Sequence, residues 1–220
     1  MAIIKQTSFE NGIVGNKATS GTADVDTIGG GSATHPQFVS DGEDGSVAIE
    51  FDATTATMYL QPASTLTEIY GRAYCKVIDS ENDNRYLLTA RNGGNQVGDV
   101  RREGDGTVTI RDNFTATDST ASGFMPLNTW VRFEWYVDQG GFTQELRLYK
   151  GANLHGTTAD DTLTGSCNDV SGVASFGTVT TNATNQQFRV DAFAIGDDWI
   201  GPVSLSTKPK ILGKLVAADS

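Results

Sequence analysis

Hydrophobic and polar residues alternate along much of the chain, most clearly between residues 130 and 149. Four apolar residues fall on one side of an extended backbone there: Val131, Phe133, Trp135 and Val137. A period of two, with aromatic and β-branched residues, is typical of a half-buried strand. Gly140 and Gly141 follow, and glycine takes the positive φ that a tight reversal needs. Leu146 and Leu148 then return on one face, so this stretch predicts a long antiparallel hairpin.

Shorter alternating runs predict strands on both sides of the hairpin. We expect them at residues 47–51, 58–60, 69–77, 86–91, 97–101, 108–110 and 187–195, with a short first strand at 9–12. Residues 154–175 are mostly polar and are predicted to form a long loop. No window has a sustained period of 3.6, so helix should be minimal. About a dozen strands separated by turn residues predict an all-β fold, a sandwich or a barrel.

The predicted strand at residues 69–77 has two unlike faces. One face carries Ile69, Gly71, Ala73, Cys75 and Val77, and the other carries Tyr70, Arg72, Tyr74 and Lys76. Burial of an arginine or a lysine is costly unless the charge is paired. We therefore expect the small-residue face to pack against the core and the charged face to point outward.

The chain has 220 residues, 25 of them glycine, and a formal net charge of −11. Its length fits one large β domain, which we place at residues 1–202. An acidic surface argues against nucleic acid and membrane lipid as partners, since both attract basic proteins. The N-terminus has no apolar run typical of a signal peptide, and no segment is long and apolar enough to span a membrane. We therefore expect the chain to be made and assembled inside a cell.

The candidate metal ligands do not form a recognisable site. Cys75 and Cys167 match no zinc spacing; a buried free thiol is favoured for Cys75, and a Cys75–Cys167 disulfide is the alternative. Acidic residues cluster at 41–45 and 79–84, and oxygen ligands suit Ca²⁺, but neither cluster has the ligand order of a calcium loop. We predict solvated turns there, no bound metal and no cofactor.

Four stretches occur in an order that resembles the laminin-G-like and concanavalin-A-like jelly rolls. They are Phe9-Glu10, Trp130-Val131-Arg132-Phe133, Leu146-Arg147-Leu148-Tyr149-Lys150-Gly151 and Val190-Asp191-Ala192-Phe193-Ala194-Ile195-Gly196-Asp197. The resemblance spans roughly residues 9–202 and implies a two-sheet antiparallel jelly-roll sandwich. With a glycine- and threonine-rich texture, a short tail and no signal peptide, the chain resembles a bacteriophage virion protein, such as a capsid decoration, a fibre or a minor tail protein.

The sequence gives little support to enzymatic chemistry. Glycoside hydrolysis depends on two carboxylates held across the scissile bond, and bacterial glucanases of this fold carry them as Glu-x-Asp-x-x-Glu on one strand. Glu50 and Glu81 each begin that motif, but Thr55 and Tyr86 stand where the second glutamate should be. The two histidines, at positions 35 and 155, lie in loop-like sequence without a Gly-x-Ser-x-Gly elbow. We predict that the protein is not an enzyme; a glucanase-type hydrolase is the less favoured alternative.

The outward face of the hairpin and its neighbour carries the candidate binding residues. The candidate carbohydrate-binding residues are Tyr70, Arg72, Tyr74, Trp130, Arg132 and Tyr136. Aromatic rings stack on sugar faces, and a few polar groups fix the hydroxyls. The alternative, which we favour for aromatic residues in general, is that these rings pack against a covering loop or a neighbouring subunit. Glu134 lies on the same face and is expected to be solvated.

The C-terminal residues 203–220 differ in composition from the acidic body. The candidate assembly residues of this arm are Lys208, Lys210, Ile211, Leu212, Lys214 and Leu215. A basic and apolar arm suits docking onto a larger assembly, where charge sets the register and apolar side chains give affinity. A frayed terminus is the alternative.

These patterns together predict a non-enzymatic phage virion protein, displayed on the capsid or tail surface and assembled in the host cytoplasm. Its expected partners are other virion proteins (major capsid or tail subunits), further copies of itself and a host surface glycan. A stand-alone, lectin-like carbohydrate-binding module is the alternative function.

Overall fold

The computed structural model describes residues 2–21, 25–29, 36–43, 47–51, 57–78, 85–112, 123–179 and 187–203. These ranges contain fifteen strands: β1 (Ile3–Thr7), β2 (Thr27–Gly29), β3 (Gln37–Val39), β4 (Ala48–Phe51), β5 (Thr57–Leu60), β6 (Glu68–Val77), β7 (Arg85–Asn92), β8 (Asn95–Arg102), β9 (Thr107–Arg111), β10 (Gly123–Phe124), β11 (Val131–Asp138), β12 (Thr143–Lys150), β13 (Asp161–Ser166), β14 (Ser175–Val179) and β15 (Phe188–Gly196). A single 3-10 turn, Gly151–Asn153, is the helical structure of the described part.

The strands form two antiparallel sheets. The first sheet has the order β13-β12-β11-β6-β15-β4-β3, and β1 pairs with the second half of β15. The second sheet has the order β10-β9-β8-β7-β14-β5-β2. Neighbours in these orders are often distant in sequence, as in β6 beside β15. The prediction of an all-β protein with two antiparallel sheets and minimal helix is confirmed.

The core lies between the sheets and consists of the inward residues of both. Trp135 of β11 is fully buried, with its ring centroid 5.5 Å from that of Phe176 in β14. Gly71 of β6 has no room for a side chain, because a Cβ there would overlap the Phe176 ring. Burial of each large apolar side chain contributes about 1.5–3 kcal/mol, so this layer is the main source of stability.

The predicted hairpin is β11 and β12. Their register runs from Val131 opposite Lys150 to Asp138 opposite Thr143. The inward face of β6 is the small-residue face, as predicted, and Cys75 lies on it as a buried free thiol. Burial raises the pKa of the Cys75 thiol.

Two predicted segments differ in the structure. The first strand is Ile3–Thr7 rather than residues 9–12; Phe9 has a φ of +60° and lies in a turn with its side chain buried. Residues 161–166, which belong to the predicted long loop, form the edge strand β13 beside β12. β13 has one buried apolar residue, Leu163, so alternation could not indicate it.

The described part of the chain has no helix that is long and apolar enough to cross a membrane. The candidate assembly residues between 208 and 215 lie outside the described residues, so the C-terminal arm stays a prediction.

Candidate functional site

The outer face of the first sheet carries three cross-strand rows on β6, β11 and β12. In strand order the rows are Tyr70–Tyr136–Glu145, Arg72–Glu134–Arg147 and Tyr74–Arg132–Tyr149. This part of the face therefore consists entirely of tyrosines and charged residues. β6 and β11 contribute six residues to these rows, and all of them but Glu134 were predicted as binding residues. The remaining predicted residue, Trp130, lies just before β11.

Two segments lie across the second and third rows. We call residues 151–160 the covering loop and residues 197–203 the strap. Arg132 donates hydrogen bonds of 2.7 Å from Nη1 to the Leu154 carbonyl and from Nη2 to the Gly156 carbonyl of the covering loop. A second contact ties this loop down, because His155 Nε2 lies 2.7 Å from Glu43 Oε1. The covering loop therefore excludes solvent from the third row.

Arg132 also forms the centre of a buried charge cluster. Its Nε lies 3.1 Å from Glu134 Oε1, an ionic contact that is off the hydrogen-bond direction. Its guanidinium carbon lies 3.7 Å from the Tyr149 ring centroid, which is a cation–π geometry. Burial raises the pKa of the Glu134 carboxyl, and the charges of Arg132 and Arg72 oppose that rise. The expectation of a solvated Glu134 is wrong, because 2% of the residue is exposed.

The strap runs along the outer face of β6. Arg72 donates from Nη1 to the Gly201 carbonyl at 3.1 Å, and the Val203 N–H donates to Tyr74 Oη at 3.1 Å. Farther along, Trp199 lies over Arg147 of the second row, with 3.6 Å between the guanidinium carbon and the ring centroid. The strap thus runs over the outer face of β6 from Tyr70 to Tyr74.

Three of the six predicted carbohydrate-binding residues are consequently inaccessible in this conformation. Arg72, Tyr74 and Arg132 are at most 4% exposed. Their burial is tolerated because the strap and the covering loop supply backbone carbonyls to both guanidinium groups. The argument from the cost of burial assumed an open face and did not anticipate these acceptors. Covering by loops was the alternative interpretation of this face.

The remaining aromatic residues divide between two places. Tyr70, Tyr136 and Trp199 form a partly exposed cluster that we call the aromatic corner. The Tyr70 and Tyr136 rings stack with centroids 4.6 Å apart, and Trp199 meets Tyr70 edge-on at 5.3 Å. Trp130 lies elsewhere on the face, with Lys76 Nζ 5.9 Å from its ring centroid. The structure therefore brings together two of the predicted rings and adds Trp199, which the alternation pattern does not indicate.

A surface cleft of about 540 Å³ adjoins the aromatic corner. Its lining residues are Tyr136, Phe142, Thr143, Gln144, Glu145, Thr164, Gly165 and Ser166. The cleft follows the pairing of β12 with β13, since Glu145 lies opposite Thr164 and Thr143 opposite Ser166. Phe142 is 44% exposed at its rim. Apolar rings and short polar side chains thus line the same depression.

The phenol of Tyr136 resists ionisation. Burial, together with the negative charges of Asp138 and Glu68, raises the pKa of Tyr136 to about 12. Burial, together with the negative charges of Glu68 and Asp198, likewise raises the pKa of Tyr70. Both hydroxyls are therefore protonated at neutral pH, where each can donate one hydrogen bond.

The second sheet has its own polar outer face, which the sequence reasoning did not single out. Arg91 donates to Tyr59 Oη at 3.1 Å, and Arg101 donates to Tyr86 Oη at 2.9 Å while lying over that ring. Each arginine thus donates a hydrogen bond to a tyrosine hydroxyl, and Arg101 also stacks on its tyrosine ring. This arrangement stiffens the face and uses the hydroxyls that a ligand would otherwise contact.

The described residues contain no group of three or more His, Cys, Asp or Glu side chains that is arranged to hold a metal ion. Asp41, from one of the two acidic clusters, forms an ion pair with Lys76 at 2.8 Å and another with Arg189. The cluster at 79–84 lies outside the described residues.

Comparisons with known proteins identify the fold. No protein-family model matches the chain, and no curated protein matches it in sequence. A glycoside hydrolase family 131 catalytic domain from Coprinopsis cinerea superposes with a TM-score of 0.59 at 11% identity, over 91% of this chain and 97% of that one. Peanut lectin superposes with a TM-score of 0.56 at 9% identity, over 82% and 95% of the two chains. The fold is a concanavalin A-like jelly roll.

Similarity to this fold extends to pieces of larger proteins. A sialidase matches with a TM-score of 0.54 at 7% identity, and the chain spans 16% of the sialidase's length. The chain spans 49% of the receptor-binding domain of botulinum neurotoxin type G, at 11% identity. At these sequence identities the comparisons show a shared jelly-roll fold. They do not identify binding residues in this chain. The resemblance to concanavalin A-like jelly rolls is confirmed.

Proposed function

We propose that the chain is a non-enzymatic glycan-binding module and that its binding site is the aromatic corner with the adjoining cleft. The observation that carries the proposal is the position of Tyr136, which belongs to the stacked ring cluster and also lines the cleft. A sugar ring resting on the exposed part of this cluster would place its hydroxyls in the cleft. Stacking supplies affinity for the apolar face of a sugar, and polar groups at the edge supply orientation.

The lining of the cleft suits neutral or weakly charged hydroxyl-rich ligands. Thr143, Thr164 and Ser166 offer hydroxyl groups that both donate and accept hydrogen bonds. Glu145 offers a carboxylate acceptor, although Arg147 Nε already donates to its Oε1 at 2.7 Å. The volume of about 540 Å³ falls within the roughly 300–1,000 Å³ of ordinary ligand sites. One or two sugar residues would fit.

The fold comparisons support carbohydrate as the ligand class. One matched protein is named as a lectin and another as the catalytic domain of a glycoside hydrolase. Between binding and hydrolysis, the carboxylates favour binding. A hydrolase needs two carboxylates flanking the scissile bond, and Glu145 is the one carboxylate among the cleft residues. Glu134, on the next strand, is buried beside Arg132 and cannot reach a ligand in this conformation.

A glycan array probed with the purified wild-type chain tests the proposal. We expect a restricted set of glycans to bind, and we expect no release of reducing ends when the bound glycans are incubated with the chain. Silence across a broad array would overturn glycan binding. Hydrolysis of a bound glycan would overturn the non-enzymatic part alone.

Display on a phage virion stays a prediction, as do the partners and the host-cell assembly that follow from it. Mass spectrometry of purified particles tests it, and absence of the chain from particles would refute it. Deletion of residues 208–220 tests the arm separately. The truncated chain should fold and fail to join particles, and full incorporation would refute anchoring by the arm.

A further inference from the structure

A small pocket of about 220 Å³ lies between the strap, β1 and the middle of β15. Its lining residues are Gln6, Thr7, Ser8, Arg72, Ala192 and Val203. It opens beside the strap and is separate from the cleft, with which it shares no residue. Three consecutive polar residues of one short segment and a single arginine therefore line the same pocket.

Arg72 is 4% exposed and forms no contact ion pair with a carboxylate of the described residues. Its Nε donates to the Ala192 carbonyl at 3.2 Å, and its Nη1 donates to the Gly201 carbonyl at 3.1 Å. Neither of these bonds uses Nη2, and Arg72 lines the pocket. Neutral carbonyls orient the guanidinium without neutralising its charge.

The nearest carboxylates are engaged elsewhere. Glu134 lies opposite Arg72 across the strands, but its carboxylate is in contact with Arg132. Asp191 accepts the N–H groups of Glu43 at 2.9 Å and of Ala192 at 2.6 Å. Both act on Arg72 through space, and burial lowers the pKa of Arg72. Because arginine stays protonated in proteins, Arg72 is a buried cation that has no carboxylate in contact among the described residues.

An irregularity of β15 fixes this geometry. The pairing of β15 with β6 shifts register between Asp191 and Ala194, and Ala192 has a φ of +45°. A non-glycine residue in this region is strained by about 1–3 kcal/mol. The bulge turns the Ala192 carbonyl toward Arg72 and gives the pocket one of its walls.

We propose that this pocket binds a carboxylate group, either a small free carboxylate or the acid group of a larger ligand. A buried guanidinium gains most from an anionic acceptor, because charge-assisted hydrogen bonds are about twice as strong as neutral ones. Nη2 donates to one oxygen of the carboxylate, and the Ser8 hydroxyl and the Gln6 amide reach the group from the rim. The pocket volume admits a group the size of acetate and excludes an oligosaccharide. The site does not depend on glycan binding at the aromatic corner.

Two-dimensional NMR titration of the full chain with sodium acetate, sodium glucuronate and neutral glucose tests this proposal, with sodium chloride holding the ionic strength constant. We expect acetate and glucuronate to shift the amides of Thr7, Ser8, Ala192 and Val203 with an affinity of about 1 mM, and glucose to leave them unshifted. A response to glucuronate alone would identify a sugar acid as the natural source. A response to both would identify the carboxylate itself as the determinant.

Ser8→Tyr is the variant that blocks the pocket, since Ser8 is exposed at its rim and makes no contact that holds Arg72 in place. Ser64→Tyr is the matched control at an exposed serine in the loop after β5. We expect Ser8→Tyr to weaken acetate binding at least about tenfold and Ser64→Tyr to leave it unchanged. Absence of shifts at the pocket in the wild type, or equal acetate binding by Ser8→Tyr, would overturn the proposal.

Discussion

The guanidinium group of Arg147 stacks on the indole of Trp199, with 3.6 Å between the guanidinium carbon and the ring centroid. Arg147 belongs to the outer face of the first sheet, and Trp199 belongs to the strap. The contact therefore joins the last described segment to the central hairpin, far away in sequence. It also orients the third ring of the aromatic corner, because Trp199 meets Tyr70 at 5.3 Å. The strap and the candidate binding site depend on one another.

Trp199→Ala should lower the free energy of unfolding by about 1–3 kcal/mol, because it removes the cation–π contact and the edge contact with Tyr70. Urea denaturation followed by circular dichroism measures the change. Phe124→Ala is the control, since Phe124 is 50% exposed. That variant should lose less than about 1 kcal/mol. Equal losses for the two variants would show that Trp199 does not hold the strap.

Arg132→Met should be strongly destabilising, by about 3–5 kcal/mol, because it leaves the buried Glu134 carboxylate unpaired. Adding Glu134→Leu should recover much of that loss, since neither charge of the Arg132–Glu134 pair then remains. The recovery is incomplete because the Leu154 and Gly156 carbonyls still lack their donor. A double-mutant cycle in urea gives the coupling energy. Additive single losses, with no coupling, would contradict the ion pair.

Gln144→Leu should destabilise the hairpin by about 2–4 kcal/mol. Gln144 is buried and accepts the Trp135 indole N–H at 3.0 Å, and its amide donates to the Ser166 carbonyl at 2.7 Å. Leucine fills the volume and leaves these polar groups without a partner. Gln61→Leu, at an exposed position, is the matched control and should be nearly neutral. A stable Gln144→Leu chain would mean that water replaces the amide.

Asp41 should give the protein a stability that depends on pH in the acid range. Burial raises the pKa of Asp41, but the positive charges of Lys76 and Arg189 lower it by more. The pKa of Asp41 in the folded chain is therefore below the ordinary 3.8. The unfolded chain then binds more protons than the folded chain in the window below 3.8. The stabilisation is therefore present above that window and is lost as the pH falls through it.

Urea denaturation of wild type and Asp41→Asn between neutral pH and pH ~2 tests this prediction. The wild type should be the more stable at neutral pH, and the difference should shrink in the acid window and in high salt. Asp169→Asn is the control, because it removes an exposed carboxylate without removing an ion pair of the described residues. A pH-independent difference between Asp41→Asn and wild type would contradict the assignment.

The sequence predicts the centre of the first sheet well, because apolar residues on one face of its strands alternate with polar and aromatic residues on the other. In β6 and β11 the inward residues are apolar without exception, and the pairing places them all in the core. Gln144 breaks this pattern in β12, where an inward polar residue depends on the Trp135 indole for its partner. No rule of alternation indicates such a pair, since it is fixed by the register of two strands.

The fate of the outer face could not be predicted from the same pattern. Arg72 and Arg132 are buried because backbone carbonyls of Leu154, Gly156 and Gly201 reach them. Any residue supplies a carbonyl, so the segments that cover the face have no sequence signature. The aromatic corner was predicted in part for the same reason. Tyr70 and Tyr136 follow from the strand period, whereas Trp199 follows from the path of the strap.

The comparison of Tyr136→Ala with Trp130→Ala tests the central claim most directly, by titration calorimetry against the strongest glycan from the array. Tyr136 lines the cleft, whereas Trp130 is an equally aromatic, partly exposed residue near Lys76 and outside it. We predict that Tyr136→Ala weakens binding about tenfold or more and that Trp130→Ala stays within about twofold of wild type. Unchanged affinity of a folded Tyr136→Ala chain, or an equal loss in Trp130→Ala, would contradict glycan binding at the aromatic corner.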